Sequence, residues 1–476
     1  MRVPNHTILR VAACLSAVLA AAACSSSDSR AAAALGEYQA AAASNNLFAA
    51  RQALLRLVRA KDDVSDYWAE LGKVQAAMGA YNDAYYAFTR AYELDRSNPD
   101  LIRSLAELAL RGGDIGLAQA RARELEVVAP GDPWVKLVDG WSAFSQSQYD
   151  KALAASDSLL ATAPFDPSAK ALKARALVGL KRENEAVQLL TEQVRAQPTD
   201  RGSLALLAKL YESRGDWARA ADAARRIYDL APTDQENLLL LIEASFRAGN
   251  AATARQASLR LLRPDAQPAI VSAVLDLWAD RWTSSQRIDD ARTLANASQS
   301  RDAKLVYAAF LTRVGSQADA IRIARVSATL PVNAENAEAN AVLADALSHA
   351  GDASTAKGRF DAVLAYDAGN ATALRGRAEL ELATGNAAAA IVDAQKLVTV
   401  IPNSSRDRLL LARAYSKSGD EAWEQRTLWT AFNDIPADEK IFTALSTTRE
   451  GDAEAMNELR AEFERQRNNR LGAGLL

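Results

Sequence analysis

Reactive side chains are scarce in this chain. Among 476 residues there are two cysteines, Cys14 and Cys24, and two histidines, His6 and His349. All but His349 fall at or before Cys24, so Cys-His, Ser-His-Asp and histidine-based zinc arrangements lack parts in the rest of the chain. Disulfides are excluded by the same shortage, and stability has to come from packing alone. No glycine-rich phosphate loop, nucleophile elbow or zinc-protease helix motif occurs. Carboxylate pairs such as Asp62-Asp63 and Asp289-Asp290 are present, but adjacent acids on a helical chain ordinarily belong to solvated faces or helix starts. An enzyme is therefore disfavoured, and no catalytic residue, metal or cofactor is expected.

A surplus of one charge is also missing. Discounting Arg2 and Arg10 from the 56 basic residues leaves 54 against 59 acidic ones, without long blocks of either sign. Nucleic acid is excluded as a partner on that ground, because phosphate binding needs a basic stripe. After residue 23 no apolar run approaches the roughly 20 residues that a bilayer-spanning helix requires.

What is present begins with a leader. Arg2 and Arg10 make a positive start, Val11 to Ala23 a short apolar stretch, and Ala21-Ala22-Ala23 a run of small residues before Cys24, the order of a secretory signal over residues 1–23. Leu19-Ala20-Ala21-Ala22-Ala23-Cys24 resembles the lipobox of bacterial lipoproteins, with Ala21 where that family more often has Leu. The resemblance implies cleavage before Cys24, a diacylglycerol on its thiol and a third acyl chain, of the palmitate type, on its amino group; ordinary signal cleavage near Ala23 is the alternative. Ser25, in place of Asp, implies export to the outer membrane, facing the periplasm, with the lipid as the only membrane contact.

From residue 32 onward one pattern repeats. Gly79, Gly113, Gly215, Gly249, Gly315, Gly351, Gly385, Gly419 and Gly451 are spaced by 34, 102, 34, 66, 36, 34, 34 and 32 residues, near multiples of one period. Self-similarity at that period marks stacked helical hairpins. Each glycine ends one helix in a left-handed C-cap, and a following Asp, as in Gly113-Asp114 and Gly215-Asp216, caps the next. Ser147 and Lys181 stand where two units lack the glycine. A small residue recurs in the second helix at Ala84, Ala118, Ala152, Ala186, Ala220 and Ala254, where close helix crossing demands it. Pro130, Pro164, Pro198 and Pro232 end second helices in step, and Asp132-Pro133 and Asp166-Pro167 restart first helices.

Trp68, Leu71, Gly72, Gly79, Ala84, Phe88 and Ala91 resemble the W, L, G, G, A, F and A of the tetratricopeptide repeat. That likeness implies an all-α fold, a right-handed superhelical solenoid of helical hairpins (α-α superhelix). The expected organisation is a signal peptide at 1–23, an acylated tether at 24–31, an N-terminal repeat block at 32–265, a degenerate hairpin at 266–300 around the off-pattern Trp278 and Trp282, a C-terminal block at 301–467 closed by a capping helix from Glu454 to Arg467, and a tail at 468–476.

In that family the first helix of each hairpin lines a concave groove. Carried onto this sequence, the inward positions hold Lys73, Arg103, Glu107, Arg111, Trp134, Leu137, Trp141, Phe144, Ser145, Arg175, Lys209, Glu212, Glu243, Phe246, Arg247 and His349. The candidate binding set is Arg111, Trp134, Leu137, Trp141, Phe144, Arg175 and Lys209: two Trp and a Phe with Arg on either side could form a platform for an extended peptide or a sugar face. Packing of the same aromatics between neighbouring hairpins is the other reading. The function expected is that of a non-enzymatic scaffold, lipid-anchored at the outer membrane, holding envelope proteins or extended peptide segments. Similarity in architecture to lipoproteins of exopolysaccharide export, including exosortase-linked systems, leaves assistance to a polysaccharide-export channel as the rival.

Overall fold

The computed structural model describes residues 27–232 and 234–472, with side chains to residue 466. The leader, Cys24 and its proposed acylation, and the end of the tail lie outside the described residues. Among those described there are 26 helices and no strand. They are α1 (Ser27–Ala43), α2 (Leu47–Ala60), α3 (Ser65–Ala77), α4 (Tyr81–Leu94), α5 (Pro99–Arg111), α6 (Ile115–Val128), α7 (Pro133–Ser145), α8 (Tyr149–Thr162), α9 (Pro167–Gly179), α10 (Glu183–Ala196), α11 (Arg201–Ser213), α12 (Trp217–Leu230) and α13 (Gln235–Arg247). The chain continues through α14 (Ala251–Leu261), α15 (Pro268–Arg281), α16 (Gln286–Ala297), α17 (Arg301–Arg313), α18 (Gln317–Arg325), α19 (Ala337–His349), α20 (Ala353–Tyr366), α21 (Ala371–Ala383), α22 (Ala387–Val400), α23 (Ser405–Ser418), α24 (Glu421–Asp434), α25 (Glu439–Thr447) and α26 (Ala453–Gly472). The fold is all-α, an array of antiparallel hairpins of the superhelical repeat type.

Local chemistry sets the hairpin. The nine register glycines all have φ between 69° and 101°, the left-handed region that suits glycine at a helix C-terminus. Ser147 (φ 59°) and Lys181 (φ 61°) take up the same conformation, so the turn survives where the glycine is lost, at the cost of some strain. The side chains of Asp114, Asp132, Asp166 and Asp216 each accept a hydrogen bond from a main-chain N–H of the helix that follows, and Pro133 and Pro167 open α7 and α9. All six register alanines, Ala84 to Ala254, are fully buried. Gly72 is needed for a different reason: a Cβ there would lie 2.9 Å from the ring of Phe88, so the crossing of α3 and α4 closes only over a bare backbone.

Within each unit most helices pack on their chain neighbours, and first helices also touch one another from α5 through α9 and from α13 through α25, which makes an inner wall. The helices group into two compact units that divide between Ala186 and Val187. The expected junction at 266–300 is no break: one apolar core runs from Ala221 to Leu380, and Trp278 and Trp282 belong to it. Both rings are buried, edge to face at 4.9 Å, and Trp278 Nε1 donates to Ser258 Oγ at 2.9 Å. Two further boundaries move. Residues 27–31 of the expected tether are the first turns of α1, and the capping helix extends to Gly472. No helix among the described residues is long and apolar enough to cross a membrane.

Candidate binding groove

Within the first unit the expected aromatic platform is dismantled by burial. Trp141 is 0 % exposed, Leu137 5 % and Arg175 8 %, while Trp134 and Phe144 are half-buried and packed against the same core. Arg175 sits one repeat beyond Trp141, at the same position of α9, and its guanidinium carbon lies 5.7 Å from the Trp141 ring centre. The arginine therefore roofs the indole instead of flanking it, a cation–π contact between adjacent hairpins. Burial lowers the Arg175 pKa to about 10. Phe144 closes the other side, 5.8 Å from Trp141 and 5.6 Å from Tyr149. Trp141, Leu137 and Arg175 are thus inter-repeat core, which corrects their assignment as ligand contacts. Arg111 remains half-exposed at the surface, accepting no ligand-like isolation: it donates to Glu107 at 2.9 Å and lies 5.7 Å from the Tyr81 ring centre.

The second unit presents a different inner wall. Lys209 is exposed on α11. One turn on, Glu212 is held well above the ordinary carboxylate range, at about 7, first by burial and then by the nearby charge of Glu243, with Arg247 and Lys209 pulling the other way. Arg247 on α13 donates to Glu243 at 3.2 Å and lies 4.5 Å from the Trp217 ring centre. Phe246, beside it, is buried against Trp282 and is core. Further along the same row, Arg313 of α17 pairs with Asp276 at 2.8 Å and with Asp280, both on α15. Asp345, His349, Glu379, Arg406 and Arg413 continue it on α19, α21 and α23, and His349 is pushed up to about 9, chiefly by its hydrogen bond with Asp345.

One element of this wall comes from the far end of the chain. Arg247 Nη1 donates to Glu439 Oε1 at 3.2 Å across 192 residues, Arg281 lies 3.7 Å from the same carboxylate, and Lys440 Nζ donates to Asp280 Oδ2 at 2.6 Å. The arginines lower the Glu439 pKa against the opposing effect of burial. α26 meanwhile touches α11. The last hairpin of the second unit returns to its first helices and fills part of the groove with its own N-terminal charges. Sequence periodicity carries no sign of this: Asp438-Glu439-Lys440 reads only as a helix start, which it also is, since Asp438 Oδ1 accepts from the N–H groups of Lys440 and Ile441.

Residues 136–283 match the family model for the Psidin N-terminal TPR repeats region. Among solved structures, yeast Tom70 is similar at 14% identity, covering 91% of this chain and 99% of that one with a TM-score of 0.33. Naa15/Naa10 bound to HypK-THB gives 12% identity over 94% and 77% of the two chains with a TM-score of 0.31. Pseudomonas aeruginosa PilF gives 18% identity over 42% and 91%, with a TM-score of 0.31. No curated protein matches the sequence. Residues 136–283 thus carry tetratricopeptide repeats, an architecture suited to protein–protein interaction and generally non-enzymatic.

Proposed function

We propose, taking the tetratricopeptide-repeat array as the premise, that this protein is a periplasm-facing scaffold held to the outer membrane by acylated Cys24, and that it binds extended segments of envelope proteins through its inner wall. The observation that supports this is the row of charges of both signs on successive first helices of the second unit, from Lys209 through Glu243, Asp345 and Glu379 to Arg406 and Arg413. A wall that is basic at Lys209 and Arg413 and acidic at Glu243, Asp345 and Glu379 suits a polypeptide that carries both charges, and its three acids repel a uniformly anionic polymer. The rival, assistance to a polysaccharide-export channel, loses Trp141 as a face that could have stacked on a sugar ring, because that ring is covered.

Two measurements test the proposal. Cys24→Ala should move the protein from the membrane to the soluble periplasmic fraction with unchanged helicity, since two or more acyl chains make attachment stable and no helix among the described residues is long and apolar enough to replace them. A variant that still sediments with membranes would refute the anchor. For the groove, a photo-crosslinking residue at Lys209 and another at Arg413 should capture the same envelope protein in cells, while one at the outward-facing, exposed Val392 should not. Equal capture at all three positions would refute the binding face.

A further inference from the structure

The second unit's inner wall brings together three groups able to bind a metal. Asp345 and His349 are one turn apart on α19, and Glu379 occupies on α21 the position that Asp345 holds one repeat earlier. One donor atom from each of the three lies within 4.8 Å of the other two. Asp345 and Glu379 are half-buried at the base, and His349 is exposed above them. His349 Nδ1 donates to the main-chain carbonyl of Asp345 at 2.9 Å. That bond assigns Nε2 as the nitrogen that can take a metal once it gives up its proton, the orientation that a second hydrogen bond ordinarily sets in metal-binding histidines.

The neighbouring charges leave room for a cation. Arg375 lies close by, but both of its outward nitrogens are committed to Asp407, at 2.6 and 2.8 Å, and Asp407 is fully buried beneath it. Arg406 makes one 3.3 Å contact with Glu379 Oε1 and is exposed, so it can swing into solvent when that oxygen is taken. Two carboxylates then face one guanidinium that can swing away, beside an Arg375 whose charge is offset by Asp407. Zinc–ligand bonds of about 2.0 to 2.2 Å place ligand atoms roughly 3.4 Å apart around a tetrahedral ion. The three donor atoms already stand within 4.8 Å of one another on two helices that touch, so the movement asked of the side chains is small.

We propose that Asp345, His349 and Glu379 form a zinc-type divalent metal site on the inner wall, with three protein ligands and the remaining coordination position open toward the groove. One imidazole nitrogen with two carboxylate oxygens is a donor set for zinc and its borderline neighbours, and three protein ligands with an open position are the mark of an exchangeable site in place of a closed structural one. The inference does not depend on the identity of any partner.

The test uses the full chain with His6→Ala, Cys14→Ala and Cys24→Ala, so that no thiol or second imidazole competes, stripped with chelator and titrated with zinc chloride alone by calorimetry. One zinc should bind per chain. His349→Ala, Asp345→Asn and Glu379→Gln should each weaken it at least about tenfold, and Asp100→Asn, an exposed acid elsewhere, should leave it unchanged. Because His349 is the only histidine after the leader, its imidazole NMR signals should shift on zinc addition in the unmutated site, a readout independent of any variant's folding. Unshifted imidazole signals, or equal zinc affinity in His349→Ala, would overturn the site and leave His349 as an ion-pair partner of Asp345 only.

Discussion

Glu212→Gln should stabilise this protein, and more so as pH rises. Glu212 is held at about 7 in the folded chain against an ordinary 4.5, so the folded state binds a proton that the unfolded state releases. Stability therefore falls as pH climbs through this window, and the loss is complete only above the folded value. A gap of that size corresponds to about 3 kcal/mol at about 1.4 kcal/mol per pH unit. Gln mimics the protonated acid in shape and charge and removes the titration. Worked through the two ionisations, the variant should exceed wild type by about 1 kcal/mol at pH 5 and about 3 kcal/mol at pH 8. Urea unfolding of both proteins at the two pH values measures the gap directly, and titrating groups remote from Glu212 cancel in the comparison. A variant advantage that is the same at pH 5 and pH 8, or absent at both, would refute the claim that Glu212 is desolvated beside Glu243.

Other substitutions probe the packing. Trp141→Ala empties a fully buried site and should cost about 3 to 5 kcal/mol; a melting curve near wild type would mean that the ring is free to meet a ligand after all. Ala220→Trp forces a ring into a fully buried helix crossing and should destabilise by about 1 to 3 kcal/mol or more, with the unfolding transition splitting because repeat arrays couple only to their neighbours. Glu439→Lys reverses the charge facing Arg247 and Arg281, and should speed amide exchange in α25 and α26 while α19 to α21 keep their protection. Unchanged exchange there would show that the returning hairpin is held by apolar contacts alone.

The hairpins were legible in the sequence because their turns depend on main-chain chemistry: a left-handed residue followed by a capping side chain leaves a local mark every 34 residues. Ala84 through Ala254 were legible for the same kind of reason, since one helix crossing admits one size of side chain. The groove was only half legible. Register says which way Trp141 points, but whether it meets solvent depends on the length and rotamer of Arg175 in the next hairpin, and a long flexible arginine can either line a groove or lie across a ring. At 266–300 the displaced prolines suggested a break, yet α15 starts on Pro268 in step with its neighbours, and the tryptophans fill the core there. The 36-residue step to Gly351 was absorbed between α18 and α19, where a nine-residue helix is followed by irregular chain. The contact of α25 with α13 and α15 had no local mark at all.

That contact sets an order of assembly. Joining two points 192 residues apart in an unfolded chain costs on the order of 5 kcal/mol in loop closure, far more than a few partly exposed ion pairs return. Once α13 through α24 have stacked, the same two points are already near each other and the cost has vanished. The ionic seam between Glu439, Lys440 and the early helices therefore forms last and parts first. Linear arrays usually fray from their termini; in this unit the terminus is tied back to the early helices, so the C-terminal hairpin opens by releasing a latch, and salt loosens that latch before it reaches the apolar core.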